Sequence, residues 1–435
     1  MHSAIIVDGV RTPFFKAGTL PNLNAVTLAL TPIRELQRRY PDFEKKLDLV
    51  IGSNIGNQLL PPDGSNFARV ILLNAGFPHH IGAWTVNINC ASGLHAILDA
   101  VKQVELGLAN FILVIATEVM SDYAAVYSRE QRTIFTEAFG AAKSKSAWWK
   151  KYPKLLKLWA KIQLMRHDPK WMIELGLTDP TINLRMDKVT EKIAAEWQIS
   201  RYEQDLFALE SQRRASAAKK AGRLAEEIVD FGLPGQGNFK DDNGIRDDQT
   251  LEKLARLRPI QTNGTVTPGN SSQVTDGAVA ILVANEEFAR GNDLPILAGM
   301  KSHFSAVAGC DPERMGLGPV SAIKKLLNRT GLKLSNVSLI ETNEAFAAVV
   351  LAQSKALASQ KYCSEFGLGT AAESLAFERT NVNGGAIAIG HPVSASGGRL
   401  VLTCAKELRR RNENLGLVTL CIGGGQGEVA VIENR

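Results

Sequence analysis

Residues 84–116 read WTVNINCASGLHAILDAVKQVELGLANFILVIA, and the change of period inside this stretch decides the architecture. Trp84 to Asn89 is a short run of the kind a buried strand carries. Cys90, Ala91, Ser92 and Gly93 follow as small residues, and Leu94 to Leu106 then places apolar side chains at helical spacing. Phe111 to Ala116 returns to an unbroken apolar run. Strand, turn, helix and strand in succession make the unit of an α/β sheet.

The same texture surrounds it. Ala4 to Val7 and Leu49 to Ile51 read as further strands, and Val337 to Glu341, Thr380 to Asn383, Val418 to Ile422 and Val429 to Ile432 repeat the pattern late in the chain. Ser394-Ala-Ser-Gly397 echoes Cys90-Ala-Ser-Gly93, each opening a helix-like stretch ahead of a strand. Two α/β halves of one topology are expected. Residues from about 121 to 250 are helix-forming and Lys- and Arg-rich with several Trp, which reads as an inserted lobe. The expected division is 1–120 plus 251–275 for the first domain, 121–250 for the loop domain and 276–435 for the second domain.

Length and composition bound the rest. At 435 residues and 45% hydrophobic the chain fills more than one core. No window reaches the ~18 uninterrupted apolar residues of a membrane span, and Met1 to Phe14 lacks a signal-peptide core, so a cytoplasmic location is expected. Five scattered cysteines without CxxC or His spacing speak against a disulfide framework and a metal site. The net charge of +6 is local: residues 141–170 hold nine basic side chains and one acid, Asp168, leaving the remainder slightly acidic.

Four motifs carry chemistry. Cys90 closes a strand and opens a helix, where peptide dipoles favour a thiolate, though a lone cysteine there reads first as a buried structural one. His391 lies in Asn383-Gly-Gly-Ala-Ile-Ala-Ile-Gly-His-Pro392, glycine-flanked, with Pro392 suited to a first helical turn; it is a base for a thiol or a turn histidine. Cys421 enters Gly423-Gly-Gly-Gln-Gly427, a run able to aim backbone N–H groups at an oxyanion or to serve as a plain turn. Asn343-Glu-Ala-Phe-Ala347 starts a helix.

In order and spacing these motifs resemble the signature set of the thiolase family, joined by Arg11-Thr-Pro-Phe14 and by Gly264-Thr-Val-Thr267, Asn270-Ser-Ser272 and Asp276-Gly-Ala278. The resemblance spans nearly the whole chain. It implies a five-layered αβαβα fold of two similar αβα halves with an inserted loop domain, a homodimer or tetramer, and coenzyme A as substrate with no permanently bound cofactor or metal. Cys90 matches the acylated nucleophile, His391 its base, Cys421 the proton-moving thiol, Asn343 the water-holding residue of one oxyanion hole, and Gly423 with Cys90 the amides of the other. Ser272, Arg246, Phe346 and Met186 match contacts to coenzyme A, Arg246 toward the nucleotide phosphates. The reaction implied is cleavage of 3-ketoacyl-CoA to acetyl-CoA and a shortened acyl-CoA by ping-pong cysteine chemistry, in fatty-acid β-oxidation. The same fold also serves biosynthetic acetoacetyl-CoA thiolases, and a non-catalytic lipid carrier is the alternative outside enzymes.

The basic insertion resembles the β-subunit of the fatty-acid oxidation trifunctional enzyme, which pairs with a hydratase/dehydrogenase α-subunit. Asn343 departs from the His usual in those subunits. Arg185-Met-Asp187 departs from the His-Met-Gly run of short-chain members. Trp148, Trp149, Trp159 and Trp171 among the lysines of residues 143–172, with Leu158, Ile162 and Met165 at helical spacing, make a peripheral membrane contact or a partner-docking helix the two readings of this segment. No nucleic-acid partner is implied.

Overall fold

Period-two alternation along the strands decides how the chain layers. A computed structural model describes residues 2–57, 66–164, 169–233, 235 and 237–435. In chain order its main elements begin with strand β1 (Ala4–Arg11), helix α1 (Ala25–Arg39), β2 (Leu49–Ser53), α2 (Phe67–Asn74), β3 (Gly82–Val86), α3 (Ser92–Glu105) and β4 (Phe111–Val119). They continue with α4 (Arg129–Lys143), α5 (Trp148–Leu164), α6 (Met186–Glu196), α7 (Arg201–Lys220) and β5 (Thr275–Asn285). The final part holds β6 (Ala298–Gly309), α8 (Gly318–Thr330), β7 (Leu339–Thr342), α9 (Ala347–Leu357), α10 (Ser396–Arg411), β8 (Leu415–Ile422) and β9 (Gln426–Asn434).

The strands run in the order β7-β8-β9-β6-β1-β5-β4-β2-β3, and the two halves repeat one another. In the first, β5 is antiparallel to β1 and β4, and β2 is parallel to β4. In the second, β9 is antiparallel to β6 and β8, and β7 is parallel to β8. They join where Ile5 and Ile6 pair with Gly299 and Ala298. One expected strand is absent: Thr380 makes an isolated parallel bridge to Ile340, and the left-handed residues Asn381 and Gly384, φ 47° and 83°, turn the chain out of extended geometry.

On β4, Ile112, Val114 and Ala116 face α3 and α10, while Phe111, Leu113 and Ile115 face α1 and α2. On β8, Val418, Leu420 and Ile422 join the α3/α10 core, while Leu417 and Cys421 face α8 and α9. The result is five layers, αβαβα, with α3 and α10 in the middle. Those helices meet at their N-termini through glycine: a Cβ on Gly93 would lie 2.4 Å from the Ser394 carbonyl oxygen, and one on Gly397 2.4 Å from the Leu94 nitrogen. The sequence echo is therefore a contact, and it sets the start of α3 against the segment leading into α10.

Met1–Asp122 with Thr178–Arg435 form one compact unit and Tyr123–Leu177 another. The second is narrower than the 121–250 lobe expected from composition. Helix α6 packs Val189 and Ile193 among Met315, Leu317 and Val349, and α7 packs Leu209 with Ala347 and Ile387, inside the larger unit. Strand β5, at whose head the 275/276 boundary was expected, lies between β1 and β4. Within the second unit α5 packs on α4 with Leu158 buried, and Ala125–Val126 pairs with Lys170–Trp171. Met165, Arg166 and Asp168 of the basic segment lie outside the described residues. Among those described, no helix is long and apolar enough to cross a membrane.

Candidate active site

The Cys90 loop is shaped by its small polar neighbours. After β3, Asn89 adopts a left-handed backbone, φ 48°. The Ser92 hydroxyl accepts the Ile88 N–H at 2.8 Å and donates to the Asn89 carbonyl at 2.7 Å, closing the turn that delivers Cys90 to the head of α3. Burial pushes the Cys90 thiol up to about 11, against hydrogen bonds from the backbone N–H groups of Gly423 and of Cys90 itself, with the Glu118 carboxylate adding to the rise. Desolvation opposes the thiolate that the helix start favours, so Cys90 needs a base.

His391 supplies a neutral imidazole. Its backbone N–H donates to Thr275 Oγ1 at 3.1 Å. Ser396 has one hydroxyl proton, spent on the Pro392 carbonyl at 3.0 Å, so its oxygen accepts Nδ1–H of His391 at 2.5 Å. That tautomer leaves the Nε2 lone pair to receive Asn343 Nδ2 at 3.3 Å. Burial, with the Arg399 guanidinium adding, lowers His391 to about 4. Pro392 precedes a turn, not the first helical turn expected of it, since α10 starts at Ser396.

Asn343 follows β7, with its N–H on the Thr419 carbonyl at 3.0 Å. Its Oδ1 is buried without a hydrogen-bond partner among the described residues, one acceptor able to hold a water donor. Glu344 anchors the motif beneath: it accepts from Ser211 at 2.6 Å, Asn381 at 2.7 Å and the Ile387 N–H at 3.2 Å. A Cβ on Gly385 would fall 2.1 Å from its carboxyl carbon, so the glycine lets the His391 segment close over it.

Cys421 is buried near the end of β8, and burial with the nearby Cys90 sulfur drives its thiol far up, to a form that holds its proton. Two residues on, the Gly423 carbonyl accepts Asn89 Nδ2 at 2.9 Å, which sets this loop beside the Cys90 turn. Cys310 adjoins this turn by donating its N–H to the Gly425 carbonyl at 2.8 Å.

The residues expected to contact coenzyme A fall into two groups. Ser272 donates its N–H to the Ala345 carbonyl at 2.9 Å, Ser271 bridges Phe346, and Phe346 and Met186 share one apolar cluster. Arg246 is exposed, its N–H held by Gln212 Oε1 at 2.8 Å. It lines a groove of about 220 Å³ with Arg213, Lys220 and Asp247, in which Asp247 is taken by the Ser216 hydroxyl at 2.6 Å. A groove of about 420 Å³ beside Tyr40 and Lys406 holds none of the expected site residues. Among the described residues no cluster of His, Cys, Asp or Glu is placed to hold a metal.

Sequence reasoning missed Asn89, Ser396, Glu344 and Arg399. The first three stood inside quoted motifs, and an Asn before a turn cysteine is a signal for left-handed backbone. Arg399, buried against Glu341 at 3.2 Å, had no local signal.

Comparisons with known proteins point to one family. Residues 4–287 match the family model described as thiolase, N-terminal domain, and residues 294–434 the one described as thiolase, C-terminal domain. The chain is 35% identical over 448 residues to 3-oxoadipyl-CoA/3-oxo-5,6-dehydrosuberyl-CoA thiolase of Escherichia coli, covering 100% of both. It is 33% identical over 449 residues to 3-ketoacyl-CoA thiolase of Bacillus subtilis, again covering 100% of both, and 35% identical over 440 residues to acetyl-CoA acetyltransferase of Paracoccus denitrificans, likewise covering 100% of both. Human mitochondrial 3-ketoacyl-CoA thiolase in complex with CoA superposes with a TM-score of 0.82 at 32% identity, over 100% of this chain and 98% of that one.

Proposed function

The chain belongs to the thiolase family and is an acyltransferase acting on coenzyme A thioesters, and from that premise we propose that it cleaves 3-ketoacyl-CoA in fatty-acid β-oxidation. Cys90 gives its proton to His391 Nε2 and adds to the 3-keto carbon. As the Cα–Cβ bond breaks, the acyl group stays on Cys90 and the acetyl-CoA enolate takes the Cys421 proton. A second coenzyme A then attacks the thioester; its proton returns to Cys421 while His391 reprotonates the leaving Cys90. The Gly423 and Cys90 amides face one developing oxyanion, and His391 with an Asn343-held water the other; each donor is worth roughly 3 kcal/mol of barrier.

The observation that carries this reading is the bond from Asn89 Nδ2, beside Cys90, to the carbonyl of Gly423, two residues beyond Cys421, at 2.9 Å. It brings both thiols to the glycine loop. Acetyl-CoA labelling read by mass spectrometry is the test: an adduct on Cys90, lost in Cys90→Ser, is expected. Absence of the adduct under conditions that label a control thiolase would reject the reading. An acetoacetyl-CoA specialist is the second reading, supported by relatives named acetyl-CoA acetyltransferase. Turnover of 3-ketoacyl-CoA substrates of increasing length separates the two, since a specialist is fastest on the shortest.

We propose a homo-oligomer, for which the edge strand β3, with Trp84 exposed, offers an unpaired rim. A hydratase/dehydrogenase α-subunit and a cytoplasmic location remain part of the proposal. Helix α5 supports contact with an anionic membrane: Trp148, Tyr152, Leu156 and Trp159 form one outward stripe, each more than half exposed, and Lys150, Lys154, Lys157 and Lys161 run along another side.

A further inference from the structure

Asn89, the residue before the nucleophile, has no part in the steps above. Its left-handed backbone, φ 48°, is strained for most side chains and best tolerated by Asn, Asp and Gly. Its N–H donates to Asn87 Oδ1 at 3.2 Å, and its side-chain Nδ2 donates to the Gly423 carbonyl at 2.9 Å. That second bond ties the nucleophile loop of the first half to the glycine loop of the second. Gly423 has no side chain to restrain it, and Gly424 and Gly425 follow with φ 92° and 80°. The Gly423–Gly424 peptide, set between glycines, rotates easily unless its carbonyl is held.

We propose that Asn89 is a positioning residue, tying the nucleophile loop to the glycine loop through the Gly423 carbonyl so that Cys90 keeps its place against the loop that follows Cys421. The proposal rests on the thiolase reading. The backbone and the side chain of Asn89 make separable demands. Glycine meets the left-handed backbone but cannot reach Gly423. Aspartate has the same size and tolerance, yet presents an acceptor to a carbonyl.

Kinetics of the full chain with Asn89→Gly and Asn89→Asp test it, alongside the pH profile of Cys90 alkylation by iodoacetamide and the rate of acylation by acetyl-CoA. Asn89→Gly is expected to keep the wild-type melting temperature, hold KM for coenzyme A within about twofold and lose about tenfold in kcat, the effect of one positioned hydrogen bond. Asn89→Asp loses more. In both, alkylation shifts to higher pH, because a glycine loop no longer tied to the Cys90 turn sets its amides less closely against the thiolate. An Asn89→Gly variant with wild-type kcat and alkylation profile would overturn the proposal, reducing the residue to a backbone preference. Normal acylation of the wild type with an equal rate in Asn89→Asp rejects the clamp alone. Wild-type protein that never acylates Cys90 rejects the thiolase reading and the clamp with it.

Discussion

Acidification should cost this protein stability through one ring, His391. Burial lowers its pKa from the ordinary 6.5 to about 4, so between those values the unfolded chain binds more protons than the folded one. Stability therefore falls as pH falls through that window. At about 1.4 kcal/mol per unit the loss is about 3 kcal/mol, beginning near 6.5, complete near 4 and not growing below it. His391→Asn removes the titration and keeps a polar side chain in the site. The measurement is the urea-unfolding free energy of wild type minus that of the variant, at pH 7 and at pH 4. Taking the difference cancels groups common to both, including His95, which Glu428 raises and which acts in the opposite sense, adding stability in acid. A wild-type-minus-variant difference that shifts by less than about 0.5 kcal/mol would show that the imidazole is not held neutral by burial. The same neutral ring places the acid limb of Cys90 acylation below pH 6.5, readable in the pH profile of kcat/KM.

Other outcomes are accessible to simple assays. Cys421→Ala should retain transfer of the acetyl group to Cys90 and lose Claisen condensation by roughly a hundredfold or more, since only the carbon proton transfer needs that thiol; normal condensation would displace Cys421 from its role. Gly93→Ala places a Cβ against the Ser394 carbonyl, an unyielding backbone atom, and should cost about 1–3 kcal/mol in thermal or urea unfolding with a fall in kcat. Wild-type stability in that variant would mean that the helix crossing is not tight. Co-sedimentation with anionic vesicles should weaken as salt rises and in Lys150→Glu/Lys154→Glu/Lys157→Glu; equal sedimentation of wild type and triple variant would remove the membrane contact.

The layering was legible because it depends on period. A strand buried on both faces reads as an apolar run and a middle helix as an amphipathic stretch, so Phe111 to Ala116 and Leu94 to Leu106 declared themselves in local order. The Cys90, His391 and Cys421 motifs were visible for a similar reason: glycines and small residues crowd where a backbone must approach closely, and that crowding is written contiguously. The extent of the inserted unit was not, because helix-forming composition is the same whether a helix docks on the main core, as α6 and α7 do through Val189, Ile193 and Leu209, or stands in a separate unit as α4 and α5 do.

Sequence by itself determined the two α/β halves, the residue types able to do thiol chemistry and the resemblance that joined them. Only the tertiary structure decided their protonation and aim. A thiol's pKa depends on what surrounds the sulfur in space, so the desolvation that opposes the helix start at Cys90 could not be read locally. The tautomer of His391 depends on which proton Ser396 has left to give. The hold of Asn89 on Gly423, across 334 positions of chain, exists only once the two halves have packed, because a hydrogen bond between distant residues has no local pattern to announce it.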